Sequence, residues 1–468
     1  MSFSGLLVLG FSVNQILEFA KSGLPIGFYT LTSFAGLAWC IVFIFCLSLS
    51  RESKRNLLLL TFSTLVPIWA AELFLSISPK LIDGTSAILG SPTDSRSKVQ
   101  VIHDLRSQGV SAYPNVGGSA LLETDGVRTH DSSLTLLPVG SISRVTTVYC
   151  NESGSWSIYQ SDEHGFNNPL GTYLVDNVDI VLTGDSFAEG ACVEPTETIA
   201  AVLRRNDLRV ISLGKGGNGP LLQFASFVEY AKPIRPEIVV WAHYANDIHD
   251  LDFRELQSST LREYLESETY SQGLNKLQPE IDAALKRYVA TEYASKALKV
   301  AESQSSVDPQ ARPRSKKSEQ SSFKKENLVE FVKLTRLREL IDLRPSRPNP
   351  AQAAGSAYRL ILQRVKNATS RWGGHLYLAY LPPYEVYQTG RDHDVFYRDF
   401  VFRTARELDI PIIDLHKKVF STHPDPLALF PRRKARHYNA EGYRLVANEI
   451  HRRLTQDQIV GLPLDQAN

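Results

Sequence analysis

The sequence predicts an α/β protein, a parallel five-stranded sheet with helices on both faces, preceded by transmembrane helices. Three observations carry this. Five apolar, β-branched runs alternate with helical stretches from Val178 onward. A long charge-free run lies near the amino terminus, between Leu24 and Ser50. Leu182-Thr183-Gly184-Asp185-Ser186-Phe187 directly follows the first strand-like run, and open α/β sheets put their chemistry at the carboxyl ends of strands.

The strand-like runs are Val178–Val181, Leu208–Leu213, Pro236–Ala242, His375–Leu381 and Ile410–Leu415. Each is short, apolar and bounded by turn residues, as a buried strand should be. Helical patterns occupy Pro195–Leu203, about 356–370 and about 395–408. Strands that alternate with helices imply parallel pairing and crossovers over both faces.

The composition is that of a globular protein, 43% hydrophobic and 22% charged with a net charge of +1, which gives no reason to expect a nucleic-acid partner. Leu24–Ser50 is long enough to cross a bilayer at about 20 residues per span. Leu57–Ile77 is a second candidate span, broken by Pro67 and Glu72. Residues 5–20 form a third apolar stretch, a span or an interfacial helix. Arg51–Asn56 reads as a short basic loop, which the positive-inside rule puts in the cytoplasm. Residues 1–78 are therefore expected to anchor the chain in a membrane, with everything beyond them extracytoplasmic.

Residues 79–175 read as a small β-rich lead-in, with strand-prone runs at Arg144–Tyr149 and Ser155–Tyr159. Asp162–Pro169 is a turn-rich segment in which His164 reads as a surface histidine. Residues 176–460 form the main domain, with an insertion at about 251–350. Ser303–Lys325 inside it has almost no large apolar residues and reads as disordered, and Glu326–Leu343 reads as an amphipathic helix. Cys150 and Cys192 lie in the outer part and can pair in an oxidising compartment, or stay as two free thiols. No Cys/His cluster has metal-ligand spacing, so neither metal nor cofactor is expected.

Four strand-end elements carry matched chemistry. Ser186 supplies a hydroxyl, and His437 can take its proton as general base. His437 lies on the loop before a helix that starts at Ala440, with Asn439 as its N-cap. Gly217 offers a backbone N–H that can approach closely, and Asn246 offers an amide NH₂. With the Ser186 N–H, these donors can form an oxyanion hole.

The order resembles the SGNH (GDSL-type) hydrolase family. Gly184-Asp185-Ser186-Phe187 matches its first motif, Gly217 its glycine, and Asn246-Asp247 its Asn-Asp. His437-Tyr438-Asn439-Ala440-Glu441-Gly442 matches its terminal histidine block. The resemblance covers about 178–250 and 370–455. It implies a three-layer α/β/α flavodoxin-like domain and ester hydrolysis through an acyl-enzyme. The family usually carries an aspartate three residues before the histidine, where this chain has Lys434. A lysine cannot accept the imidazole N–H.

The resulting expectation is a membrane-anchored serine esterase, with Ser186 as nucleophile and His437 as base. Ser186, Gly217 and Asn246 bind the oxyanion, and Asp185, Asp247 and Asp425 are the acids that can support the site. A Ser186–His437 dyad is expected, with Lys434 turned to solvent and the imidazole held by a backbone carbonyl. Asp425, in the Pro424-Asp425-Pro426 turn, is the nearest substitute acid along the chain. The substrate is an ester, with an acylated glycan or lipid among the candidates. Two rivals remain: an O-acetyltransferase acting on a cell-surface polysaccharide, and a non-catalytic domain that binds glycan or scaffolds an envelope.

Overall fold

The computed structural model describes residues 49–86, 94–129, 135–174, 177–305, 350–388 and 397–460. It divides into two compact units, one of Met1–Gly90 with Gln310–Pro345, the other of Ser91–Pro309 with Ser346–Asn468.

In the first unit the described element is a helix, Arg51–Ser86. Arg51–Asn56 is its opening, not a loop. Ser50 starts it by accepting the Ser53 N–H on its hydroxyl and the Lys54 N–H on its carbonyl. The helix also continues past the expected boundary at residue 78. Its Arg51–Phe74 portion is the one helix among the described residues long and apolar enough to cross a membrane. Leu57–Leu60, Phe62, Leu65 and Phe74 are exposed on it, so it is apolar all round rather than along one stripe. The runs at 5–20 and most of Leu24–Ser50 lie outside the described residues.

Among the described residues the second unit contains ten strands: β1 Ala112–Pro114, β2 Val127–Arg128, β3 Thr135–Leu136, β4 Thr146–Val148, β5 Ile158–Gln160, β6 Ile180–Thr183, β7 Val210–Ser212, β8 Ile238–His243, β9 His375–Tyr380 and β10 Ile412–Asp414. The last five form one sheet in the order β10-β9-β8-β6-β7, with every pairing parallel. In chain order this is 2-1-3-4-5, a doubly wound arrangement. All six residues of β8 are buried, because strands flank it and helices cover both faces.

Side chains alternate across the sheet. Val181, Ile211, Val239, Trp241 and Leu378 join one core with Tyr358, Ile361 and Val365 of the helix Gln352–Arg371. Ile180, Leu182, Val210, Val240 and Ala379 join the other with Leu203, Val446 and Ile450. These come from the helices Ile199–Arg204 and Ala440–Gln456. The result is three layers. Truncating Ile361 to Ala would cost about 2–5 kcal/mol.

The lead-in contains more helix than its β-prone runs suggest. Lys98–Ser107 is a helix closed by a Ser97/Gln100 capping box. β1, β4 and β5 make a small sheet, and Val116, Leu121, Val145 and Phe166 pack into the first core of the main sheet. The start of the insertion packs there too, through Leu251, Leu261, Tyr264 and Leu285. Residues 306–349, which include most of the Ser303–Lys325 stretch and the whole Glu326–Leu343 pattern, lie outside the described residues.

His164 is half-buried rather than on the surface. It packs against Tyr173 and Tyr230, at 4.7 Å and 4.8 Å between ring centres. Its turn is tightened by Asp162, whose Oδ1 accepts the N–H groups of His164 and Phe166.

Candidate active site

β6 lies between β7 and β8, so the loops leaving these three strands are neighbours at one sheet edge. The β6 loop carries Ser186, the β7 loop Gly217, and the β8 loop Asn246. Gly184 ends β6 without a side chain for a packing reason: a Cβ there would meet the Ala188 Cβ at 2.8 Å and the Ala242 carbonyl at 2.9 Å. Ser186 then opens a short helix, Ser186–Glu189. Asp185 caps it by accepting the Phe187 N–H at 2.9 Å.

His437 arrives from the other end of the chain. Asn439 accepts the Gly442 N–H at 2.9 Å and gives its amide to the Ala428 carbonyl at 2.7 Å, which fixes the approach to the last helix. This places His437 Nε2 2.8 Å from Ser186 Oγ. Phe187 packs against the imidazole with ring centres 4.8 Å apart, and Tyr244 stacks on Phe187 at 4.1 Å.

The far side of the imidazole is held by Glu152. His437 Nδ1 lies 3.0 Å from Glu152 Oε1, and the backbone N–H of His437 donates to Oε2 at 2.9 Å. Burial alone would raise the Glu152 pKa. The bond from the imidazole, its charge, the backbone N–H and Arg436 outweigh burial and hold the carboxyl below its ordinary value. Glu152 thus holds the imidazole Nδ1 where a backbone carbonyl was expected.

Asp425 does not take that position. Its carboxylate takes both ends of the Arg433 guanidinium, at 2.5 Å and 2.8 Å. Lys434 is half-buried rather than turned fully outward, and Arg436 donates to the Glu152 carbonyl at 3.2 Å. Part of the basic stretch before His437 thus braces the loop that carries the acid. Glu152 escapes sequence reasoning because it lies 285 residues from His437. The one available hint was its position in a turn between two β-prone runs, just after Cys150.

Gly217 sits in a turn with φ +79°, the left-handed region that favours glycine, and a Cβ there would meet Ser119 Oγ at 2.6 Å. The turn rests on a buried network. Glu189, on the Ser186 helix, accepts the Gly216 N–H at 2.7 Å and pairs with Lys215 Nζ at 2.8 Å. Tyr159 and Asn115 also bond the Glu189 carboxylate. Both charges of the pair are fully buried, so the nucleophile helix and the Gly217 turn are tied together by a bond that water does not screen.

Asn246 donates one amide hydrogen to Asp250 Oδ2 at 2.7 Å. An amide carries two such hydrogens, and Asp250 takes one of them. Asp247 lies deeper, 3.1 Å from His243 Nδ1, and accepts the Tyr244 N–H at 3.2 Å. Burial raises Asp247 well above the carboxylate range and drops His243 to about 3. Burial, with Asp247 beside it, raises Asp185 to about 8. At neutral pH Asp185 is therefore largely protonated.

Glu152, Cys192 and His437 present metal-ligand atoms within 4.8 Å of one another. The Cys192 sulfur, however, is bonded to Cys150, and the Glu152 and His437 atoms bond each other. No thiolate is left to bind a metal at this cluster.

No family model matches this chain, and neither does any curated protein. Among solved structures it is similar to a lipase/acylhydrolase from Enterococcus faecalis, at 14% identity over 60% of this chain and 96% of that one, with a TM-score of 0.31. It is also similar to an acetyl xylan esterase, at 12% identity over 59% and 100% of the two chains, TM-score 0.30. An alpha/beta hydrolase from the metagenome of Lake Arreo, Spain, gives 13% identity over 62% and 100%, TM-score 0.32. At such distances the reading of the site rests on its own geometry.

Proposed function

We propose that this protein is a serine esterase of SGNH type that cleaves its substrate through an acyl-enzyme. The observation that carries the reading is the hydrogen-bonded chain from Ser186 Oγ through His437 to Glu152. His437 takes the Ser186 proton as the oxygen attacks the ester carbonyl. Glu152 fixes the tautomer and stabilises the imidazolium. The N–H groups of Ser186 and Gly217 and the free Asn246 hydrogen receive the oxyanion. His437 then returns its proton to the leaving alcohol, and water repeats the cycle on the acyl-enzyme. The scaffold reading leans on the missing aspartate and on the basic Arg432–Arg436 stretch, and Glu152 beside His437 speaks against the first of these.

The apolar helix Arg51–Phe74 supports a membrane anchor, and the Cys150–Cys192 bond supports an oxidising, extracytoplasmic compartment for the catalytic unit. An ester borne on a glycan or lipid of the envelope suits that location.

The test is labelling with a fluorophosphonate probe alongside hydrolysis of p-nitrophenyl acetate. Wild type is expected to label and to hydrolyse, and Ser186→Ala to do neither. Equal turnover by Ser186→Ala would refute the mechanism. For the anchor, the chain is expected to stay with membranes after a carbonate wash, and its full release would refute that part.

A further inference from the structure

We propose that the Cys150–Cys192 disulfide is the positioning element for Glu152, so that ester cleavage depends on its oxidised state. This rests on the serine-esterase reading above.

The bridge joins the two catalytic segments. Cys150 lies two residues before Glu152, and Cys192 lies six residues after Ser186. Between Ser186 and Cys192 the chain is tightly specified. The Gly190 N–H donates to the Phe187 carbonyl and the Ala191 N–H to the Ser186 carbonyl. Cys192 itself holds a left-handed backbone, φ 63°, which is uncommon for a residue with a side chain. The bridge also touches the acid–base pair, with Cys192 Sγ 4.0 Å from His437 Nδ1.

Glu152 is tied to the lead-in through its neighbours, with Asn151 Nδ2 donating to the Asp94 carbonyl at 3.0 Å and the Asp94 N–H to the Gly154 carbonyl at 2.8 Å. It lies in a turn rather than in one of the central strands or a helix. The turn is closed by the Ser157 N–H to the Cys150 carbonyl and by the Tyr149 N–H to the Ser157 carbonyl. One further bond, from Ser157 Oγ to the Val193 carbonyl at 2.7 Å, runs from the turn to the segment after the nucleophile. The bridge and this bond leave from adjacent residues, Cys192 and Val193. Removing the bridge leaves the turn the Ser157–Val193 bond toward the nucleophile segment, while its other hydrogen bonds run to Asp94 and Arg96 in the lead-in and to Arg432 and Arg436 beside His437. A misplacement near 1 Å can cost about 100-fold in rate.

Three proteins separate a positioning role from a general staple: Glu152→Gln, the double variant Cys150→Ser/Cys192→Ser, and the triple variant. Each is assayed on p-nitrophenyl acetate at a temperature where circular dichroism shows it folded. The double variant is expected to lose about 10- to 100-fold in kcat with KM within about twofold, by the misplacement argument. In the Glu152→Gln background the same two changes should cost less than about threefold, because coupled sites are not additive. An equal loss in both backgrounds, or a double variant as active as wild type, would overturn the inference.

If the double variant does not fold, dithiothreitol titration of wild type replaces it. The dithiol breaks the Cys150–Cys192 bond, forms its own S–S bond, and passes two electrons and two protons to the protein thiols. Turnover should fall as thiols appear, and the residual turnover of Glu152→Gln should not. Wild type that is reduced yet fully active would overturn the inference while its fluorophosphonate labelling left the esterase reading intact. Absence of labelling at Ser186 in the oxidised protein would overturn both.

Discussion

Glu152 grips His437 at two points, accepting the ring Nδ1–H on one carboxylate oxygen and the backbone N–H on the other. A single bond would let the imidazole pivot about it. Two bonds from one rigid group set both the ring plane and the height of the loop. Glu152→Gln should therefore lower kcat by about 10²–10⁴, with the larger figure set by loss of the acid in serine triads. Asp425→Asn should leave kcat within about twofold, since that carboxylate pairs with Arg433 on the surface, where ion pairs contribute little. Steady-state hydrolysis of p-nitrophenyl acetate reads both. A larger loss on Asp425→Asn than on Glu152→Gln would reverse the assignment.

Asn246→Ala removes the amide that Asp250 orients. Turnover should drop by about 10²–10³, the cost of one oxyanion donor, with the melting temperature nearly unchanged. An unaltered kcat would take Asn246 out of the site.

Lys215→Met leaves the Glu189 carboxylate buried without its counter-charge. The expected cost is about 3–5 kcal/mol of stability, the usual penalty for stranding one partner of a buried pair. Urea unfolding followed by circular dichroism measures it. A midpoint equal to that of wild type would show that the other partners of Glu189 suffice.

Asp185 contributes to the pH dependence of stability. Its carboxyl titrates near 3.8 when unfolded and at about 8 when folded, raised mainly by burial. Between these values the unfolded state has released a proton that the folded state keeps, so the folded state loses ground as pH rises. Asp185→Asn keeps the oxygen that caps the Phe187 N–H and removes this titration. Its stability relative to wild type should improve steadily from about pH 4 to about pH 8 and then level off. Thermal melts across that range test this, and a constant difference would refute it.

The sheet was legible because buried parallel strands read as short apolar runs, and each observed strand lies within or beside the run that announces it. Ser186 and His437 were legible because each stands next to a strongly marked element, a buried strand for one and an Asn-capped helix for the other. Glu152 was not. The choice of Asp425 followed nearness along the chain, but its turn closes on Arg433. The acid instead comes from a turn whose position is set by tertiary packing, and no periodicity reports such a contact. The basic loop at Arg51–Asn56 failed for a local reason: Ser50 caps it into a helix, and charge composition alone does not distinguish a linker from a first helical turn.

The three members of the relay lie 285 and 251 residues apart along the chain, and His437 precedes only the last described helix. A growing chain thus carries its serine and glutamate long before its histidine exists. No truncated product that stops short of residue 437 can hydrolyse an ester by this route. On the esterase reading proposed above, activity waits for residue 437 to be made and to fold against Ser186.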